Sequence, residues 1–446
     1  MDLKNKKVLV CGLGVSGIAS AALLKKLGAS VTVSDIRSED KLDLAALQDV
    51  NVYVGKNPDD IINKQDLIVI SPGISTDLPF VKLAHELNIP VWSEIELAYR
   101  VSKAPIIAIT GTNGKTTTTA LTGEIIKNYY KNSLVAGNIG IPLTENIYNV
   151  PKDDYVVAEI SSFQLETIDL FCPKVSAILN ITPDHLNRHK TFENYCMAKA
   201  KVFQNQTEND YTVLNFDDKL CRQLASKTEA HVIFFSVENK LDEGVFLDEG
   251  KIKIHFKNIN ETLMDAKQIN LLGKHNISNV LAAVAISVCV DVPLNIIYNT
   301  IKDFKAVSHR LEFVREINGI KFYNDSKATN VDSAVKALQA IETPIILIGG
   351  GYDKNVDFYD WIKAFKNVCR LILIGQVKEK IAKQCEELGF FDYVMCQTFE
   401  DAVKKSFEIA KSNDSVLLSP ACASWDMFSN FEKRGDLFKS IVNSLA

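Results

Sequence analysis

The sequence predicts an α/β protein of three domains, and three observations carry that expectation. Short apolar runs alternate with helix-like stretches along the chain, two glycine-rich turns each follow such a run and open a helix, and 446 residues exceed what one hydrophobic core serves. In the first segment Lys7–Cys11, Val31–Asp35 and Leu67–Ile70 read as strands, with the helix-like Ile18–Leu27 between the first two, which is a parallel βαβ pattern. A second segment opens after the helix-like Glu94–Val101 with the strand Pro105–Ile109 and adds strand candidates at Tyr155–Ile160 and Val175–Ile181. The third contains Thr343–Ile348, Leu371–Ile374 and Ser415–Ser419, each running into a Gly or Pro turn. Cuts near residues 94 and 304 follow, giving domains 1–93, 94–303 and 304–446.

Composition narrows the class. With 47% apolar and 24% charged residues the chain reads as a soluble globular protein, and its longer apolar stretches are all broken by charges, so no membrane span is expected. Met1–Lys7 is polar and basic, and the apolar segment after it is interrupted by Gly12, Gly14 and Gly17, unlike a secretory leader; the expected location is the cytoplasm. Nine cysteines without a C-x-x-C pair or a Cys/His metal spacing read as reduced thiols that fill the core. A net charge of -5 with no Lys/Arg block argues against nucleic acid as a partner, so any phosphate site must be local.

Two such sites are legible. Gly12-Leu-Gly14-Val15-Ser16-Gly17 follows a strand, opens a helix, and is followed 18 residues after Gly17 by Asp35 at a strand end. Glycines there let the backbone approach a diphosphate, whose oxygens the first N–H groups of the helix can hold. NAD, FAD and a UDP-sugar would all fit, and Asp35 suits any sugar hydroxyl; the blander alternative is a turn that only packs helix on strand. The second site is sharper. Ile109-Thr110-Gly111-Thr112-Asn113-Gly114-Lys115-Thr116-Thr117 runs from a strand into an apolar helix, supplying backbone donors for phosphate oxygens, a lysine to neutralise them and a hydroxyl, Thr116, for Mg²⁺. It departs from the G-x-x-x-x-G-K-[ST] form, since Ile109 stands where the first Gly would fall. The first and third domains therefore read as Rossmann-like and the central one as P-loop ATPase-like.

The form T-G-T-N-G-K-T-T-T resembles the loop of the Mur ligases and the related folylpolyglutamate synthetases. Further blocks follow in that family's order: Glu159-Ile-Ser-Ser-Phe-Gln-Leu-Glu166, Asn180-Ile-Thr-Pro-Asp-His-Leu-Asn187, Gly273-Lys-His-Asn276, His309-Arg-Leu-Glu312, Asn324-Asp-Ser-Lys-Ala-Thr-Asn330 and Leu418-Ser-Pro-Ala-Cys-Ala-Ser-Trp-Asp426. The last two are similar to the branch that adds D-glutamate.

What the resemblance implies for single residues must make physical sense at each position. It assigns catalysis to Lys115, Glu159, His185 and Lys199, with Thr116, Glu159, His185 and Lys199 around two Mg²⁺ ions. Lys199, in Tyr195-Cys-Met-Ala-Lys-Ala-Lys201, resembles a lysine that reacts with CO₂ to give a carbamate, which turns a cation into an anion. Such a lysine needs its pKa lowered by burial or a nearby charge. Lys201 is hard to tell from it by sequence. ATP falls to Gly111, Thr112, Asn113, Gly114, Lys115, Thr116 and Thr117, with Asn276 near adenine, Asp325 on the ribose and Arg310 at the phosphates, between the second and third domains. The UDP-sugar falls to Gly14, Val15, Ser16, Asp35, Arg37, Ser71, Asn138 and Ser161, although Ile36 replaces a hydroxyl residue that some members use. D-Glutamate falls to Lys327, Thr329, Lys354, Ser424 and Phe431. His189, four residues beyond His185, has no such match to a metal ligand and is expected to be solvent-exposed.

The implied activity is an ATP-dependent amide-bond ligase acting on UDP-N-acetylmuramoyl-L-alanine and D-glutamate through an acyl phosphate, as a monomer. An NAD-dependent oxidoreductase would leave Gly111–Thr116 without a use, and a non-catalytic ATP switch would be expected to lack Mg²⁺ ligands or Lys199. A folylpolyglutamate synthetase would begin at the triphosphate loop, without the first 93 or so residues.

Overall fold

Three sheets hold the chain, and their central strands run parallel because they are apolar on both faces. The computed structural model describes residues 2–42, 47, 50–305 and 307–445. In the first sheet the order is β3-β2-β1-β4-β5, from β1 (Lys7–Cys11), β2 (Ser30–Asp35), β3 (Asn51–Val54), β4 (Leu67–Ile70) and β5 (Val91–Ser93), with every pairing parallel. Leu67–Ile70 is buried at every position, as a strand covered by helices on both sides must be. The order reverses between β1 and β4, so their C-terminal ends diverge into a crevice that ligands of such sheets use.

The second sheet has the order β14-β13-β12-β11-β10-β9-β6-β8-β7. It comprises β6 (Ile106–Thr110), β7 (Leu134–Gly137), β8 (Val156–Glu159), β9 (Val175–Ile178), β10 (Tyr211–Asn215), β11 (His231–Ser236), β12 (Gly244–Asp248), β13 (Lys251–Phe256) and β14 (Ile259–Asp265). Only β13 and β14 run antiparallel to their neighbours. The third sheet, in the order β15-β16-β20-β17-β18-β19, comprises β15 (Glu312–Ile317), β16 (Ile320–Asn324), β17 (Ile345–Gly350), β18 (Val368–Ile374), β19 (Tyr393–Met395) and β20 (Ser415–Leu418). Its β15 is antiparallel to β16 and the rest are parallel.

Met1–Gln268 with Ser278–Asp303 form one compact unit, and Ile269–Ile277 with Phe304–Ala446 a second. Within the first, two buried carboxylates bind the first sheet to the second. The helix Glu94–Val101 follows β5, and Glu94 accepts the backbone N–H and the hydroxyl of Thr144 at 2.7 and 2.8 Å. Glu96 accepts the N–H groups of Asp169, Leu170 and Phe171 at 2.9, 3.0 and 2.9 Å and the Nε of Arg100 at 2.6 Å. All nine cysteines are free thiols. Among the described residues no helix is long and apolar enough to cross a membrane.

Glu96→Ala would strand three backbone donors at once and leave Arg100 with Asp169 as its remaining carboxylate partner. Since one orphaned donor costs about 1–3 kcal/mol, the variant should lose on the order of 3 kcal/mol or more in denaturant unfolding. An unchanged unfolding midpoint would contradict the structural role of this carboxylate.

Candidate active site

The second sheet gathers functional side chains at the C-terminal ends of its adjacent strands β7, β8, β6 and β9. β6 runs into Gly111, at φ +150°, and Gly114, at φ +84°, and the helix Lys115–Tyr129 starts directly after. Both glycines are forced: a Cβ on Gly111 would lie 3.0 Å from the Cβ of Leu179, and one on Gly114 would lie 2.3 Å from Oδ1 of Asn279. Gly114, which caps the helix start, has no side chain to compete with an anion for the first N–H groups.

Residues after β9 lock the loop. Asn180 accepts the N–H of Asn113 at 2.9 Å and donates to its carbonyl at 3.0 Å, while the Thr112 N–H bonds the Asn180 carbonyl at 2.9 Å. The Thr112 hydroxyl lies 3.1 Å from the Thr182 carbonyl and 3.1 Å from the Tyr195 hydroxyl. The loop is thus shaped before any phosphate arrives.

Two lysines converge on it. Nζ of Lys115 donates to the carbonyls of Gly111 and Thr112, each at 2.8 Å, and Nζ of Lys199 donates to the same Gly111 carbonyl at 2.8 Å. Lys199 is 2% exposed, and its Nζ sits 4.6 Å from the centre of the Tyr195 ring. Burial, and after it the charge of Lys115, holds the Lys199 ammonium well below its ordinary pKa. Lys201 differs. Its Nζ bonds the Glu166 carbonyl at 2.7 Å instead, so the structure separates two lysines that sequence could not.

Glu159 ends β8 in register with Ile109 of β6, which sets it beside the loop. Its Oε1 accepts from Nδ2 of Asn138 at 2.7 Å, and its Oε2 is buried without a hydrogen-bond partner. Thr116 is buried on the first turn of the loop helix, and His185, at φ +54°, lays its ring edge-on to Phe163 at 4.8 Å. Among the described residues no three of His, Cys, Asp and Glu cluster as a metal cage. The unpaired carboxylate oxygen of Glu159 and the hydroxyl of Thr116, both at the phosphate loop, fit Mg²⁺, which takes oxygen ligands from one or two protein anions and from phosphates.

His189 corrects the sequence expectation. It is 7% exposed, its Nε2 lies 3.0 Å from the Ser162 hydroxyl, and its ring stacks on Phe163. The polar stretch around it hid partners that come from elsewhere in the chain. Sequence reading also passed over Asn180, Thr182 and Asn279 as loop supports, and Asp184, whose Oδ2 lies 3.7 Å from Nε2 of His185. Their signal was position alone, directly after β9 or one turn beyond Asn276.

In the first sheet the glycine turn sits at the β1/β4 crevice. A Cβ on Gly17 would lie 1.9 Å from the Gly12 carbonyl, which also accepts from the Ser71 hydroxyl at 2.6 Å. Asp35 accepts the Leu13 N–H at 2.8 Å and the Arg37 N–H and Nε at 2.9 Å each, and Nη2 of Arg37 bonds its other oxygen at 2.8 Å. Arg37 holds that carboxyl far below the usual range. Asp35 thus shapes the turn, while Gly14, Val15 and Ser16 begin the helix Val15–Lys26, with Val15 69% exposed. Ser161 bonds Oε1 of Gln164 through both its N–H and its hydroxyl, each at 2.9 Å.

The second unit assembles its own set at the ends of β16, β17 and β20. Nζ of Lys327 lies 5.0 Å from the centre of the Phe431 ring, the Thr329 N–H bonds the Lys327 carbonyl at 2.9 Å, and Nζ of Lys354 lies 5.6 Å from the centre of the Trp425 ring. Ser424 is buried, and the neighbouring Ala423 carbonyl accepts the Tyr352 N–H at 2.9 Å, which ties the Lys354 loop to the serine. Arg434, unnoticed in the sequence, is 1% exposed and donates to the Ser326 hydroxyl and carbonyl at 2.9 and 2.8 Å and to the Cys422 carbonyl at 3.1 Å. Asn276 donates to the Leu272 carbonyl at 2.7 Å, and Arg310 to the Ser333 hydroxyl at 2.7 Å. Asp325 accepts from the Leu311 N–H at 3.1 Å and the Ser419 hydroxyl at 2.9 Å; burial pushes its pKa up to about 6, against Arg310 and these hydrogen bonds.

A phosphate-binding loop opening a helix at the end of a central parallel strand, with a buried lysine and carboxylate beside it, defines a P-loop-type α/β protein. Family models match almost end to end: Mur ligase MurD-like, N-terminal domain at 6–93, Mur ligase middle domain at 109–287, and Mur ligase, glutamate ligase domain at 309–422. The chain belongs to the Mur ligase family. It is 50% identical to the UDP-N-acetylmuramoylalanine--D-glutamate ligase of Thermoanaerobacter sp. strain X514 and 48% identical to that of Caldicellulosiruptor bescii, covering 100% of this chain in both cases and 100% and 99% of those proteins. Its fold resembles the UDP-N-acetylmuramate-alanine ligase of Thermotoga maritima, with TM-score 0.62 and 20% identity over 99% of this chain and 100% of that one. A pseudomurein peptide ligase type C from Methanothermus fervidus is equally similar, with TM-score 0.62 and 20% identity over the same shares.

Because the Asp325 value is raised in the fold, the protonated form is the one folding favours. Its contribution is present below about pH 4 and is lost as pH rises through about 6. Relative to Asp325→Asn, the wild type should therefore lose on the order of 3 kcal/mol of stability between those values, read from denaturant unfolding across pH. Parallel pH profiles for the two proteins would contradict the assignment.

Proposed function

We propose that the chain joins the carboxyl group of UDP-N-acetylmuramoyl-L-alanine to the amine of D-glutamate at the expense of ATP, in peptidoglycan synthesis. The observation that carries this reading is identity near 50%, over the full length of both chains, to ligases bearing that name. The geometry supplies the chemistry.

A carboxylate does not react with an amine at neutral pH, because oxide would have to leave. Its attack on the γ-phosphoryl group of ATP gives an acyl phosphate, and the amine then displaces phosphate through a tetrahedral intermediate, leaving the amide. No covalent enzyme nucleophile is needed, so orientation and charge stabilisation do the work. Lys115 at the loop is suited to offset charge on the transferred oxygens, and the N–H groups of the helix start to hold the phosphates. Mur ligases use Mg²⁺ with ATP, and when bound it withdraws charge from the phosphoryl oxygens. Thr116, Glu159, His185 and Lys199 are the residues proposed to hold two such ions.

An ammonium at Lys199 cannot ligate a cation. A neutral amine there can add to CO₂, forming a carbamate and releasing one proton, and burial beside Lys115 favours that neutral amine. In the same reading Gly14, Val15, Ser16, Asp35, Arg37, Ser71, Asn138 and Ser161 hold the UDP-sugar. Asn276, Arg310 and Asp325 join residues 111–117 on ATP, and Lys327, Thr329, Lys354, Ser424 and Phe431 take D-glutamate. A monomer in the cytoplasm, with domains 1–93, 94–303 and 304–446 serving the UDP-sugar, ATP and the amino acid, completes the proposal.

Phosphate release from ATP, Mg²⁺ and UDP-N-acetylmuramoyl-L-alanine should occur with D-glutamate and not with L-glutamate or lysine; release with lysine alone would overturn the substrate assignment. Lys199→Ala should lose turnover and regain part of it with added short-chain carboxylates, whereas full activity would refute the carbamate.

A further inference from the structure

We propose that His189 is a positioning residue that braces two of the cation-site side chains, His185 and Lys199, from behind. Its imidazole is packed against one aromatic support of each. On one side the ring stacks on Phe163, with centroids 5.4 Å apart and planes 22° apart, and Phe163 meets the His185 ring edge-on at 4.8 Å. On the other it lies 5.3 Å from the Tyr195 ring, over which Lys199 Nζ sits at 4.6 Å. The Tyr195 hydroxyl in turn meets Thr112 of the phosphate loop at 3.1 Å.

The imidazole cannot drift, because polar partners hold it on several sides. Its Nε2 is 3.0 Å from the Ser162 hydroxyl, and its Nδ1 faces Oε1 of Glu166 at 3.7 Å. Glu166 is itself clamped by Arg188, through Nε at 3.2 Å and Nη2 at 2.5 Å, and Arg188 reaches on to the Ile74 carbonyl at 2.7 Å. The backbone of His189 is fixed too, since its carbonyl accepts from the Thr191 N–H at 2.9 Å and Nδ2 of Asn194 at 3.0 Å.

The ring is what both supports share, and the hydrogen bond to Ser162 sets its place between them. Removing the ring would open a void between Phe163 and Tyr195, and both would relax into it, taking His185 and Lys199 out of line. Side chains that orient ligands from behind typically matter by ~10–100-fold in metal affinity.

The inference rests on the reading of His185 and Lys199 as cation-site residues, and the test keeps the two apart. The full chain and its His189→Ala and His189→Phe variants are equilibrated with ¹³C-bicarbonate and examined by NMR for the lysine carbamate. Mn²⁺ binding is followed by electron paramagnetic resonance in the presence of a non-hydrolysable ATP analogue, and circular dichroism confirms folding. We expect His189→Ala to bind Mn²⁺ about tenfold more weakly or worse and to lose most of its carbamate signal, and His189→Phe, which keeps the ring, to recover both in large part. A folded Ala variant with wild-type affinity and carbamate overturns the proposal, as does a Phe variant as impaired as Ala. If Ala does not fold, His189→Asn, which keeps a partner for Ser162 but no ring, takes its place with the same expected loss. A wild-type chain showing neither carbamate nor Mn²⁺ binding would sink the cation-site reading itself, and this inference with it.

Discussion

One carbonyl oxygen, that of Gly111, accepts hydrogen bonds from two lysine side chains, and the chemistry proposed for this chain follows from that constraint. Sharing the acceptor brings the two nitrogens within roughly 6 Å, where two unit charges repel by ~3 kcal/mol at an effective dielectric near 20. The hydrogen bond cannot decide which lysine gives up its proton, since both bonds are 2.8 Å long. Burial decides. Lys199 is almost wholly removed from solvent and Lys115 only partly, so the cost of a charge falls on Lys199. The same pair can then supply a cation for phosphate at one position and an uncharged amine at the other.

The constraint holds only because the loop is rigid. Asn180 and Thr112 fix its backbone from the β9 side, Asn279 presses on Gly114, and Glu159 is set beside it by strand register. Buried carboxylates at Glu94 and Glu96 tie the first sheet to the second by taking backbone donors, so the glycine turn at Gly12–Gly17 and the phosphate loop belong to one compact unit. The second unit solves a similar problem with a cation: Arg434, buried in the helix Phe431–Ser444, links the segments that carry Lys327 and Ser424.

How much of this was legible depended on where each residue's partners lie. β1 and β4 match their expected limits to the residue, because a strand covered on both faces is an unbroken apolar run. The short or exposed edge strands β3, β5, β14 and β19 gave no such run and passed unnoticed. Both glycine loops could be read because a positive φ at Gly111 and Gly114, and the close approach at Gly17, leave a compositional mark. Lys199 and Lys201 could not be distinguished, since two residues along a helix reverse the face and nothing local says which face is buried. His189 sits among Asn187, Arg188 and Lys190 and reads as solvated; Ser162, Phe163, Glu166 and Tyr195, from outside that stretch, surround its ring. Arg434 was hidden in the same way by Glu432 and Lys433.

The central claim is that phosphate gathered at the Lys115 loop makes a carboxyl group electrophilic. Isotope transfer tests it most directly: UDP-N-acetylmuramoyl-L-alanine carrying ¹⁸O at both oxygens of its terminal carboxylate is turned over with ATP and D-glutamate, and the phosphate released is examined by ³¹P NMR. The account predicts one ¹⁸O in each phosphate, handed over as the acyl phosphate breaks down. Phosphate free of ¹⁸O, released as the amide forms, would contradict it.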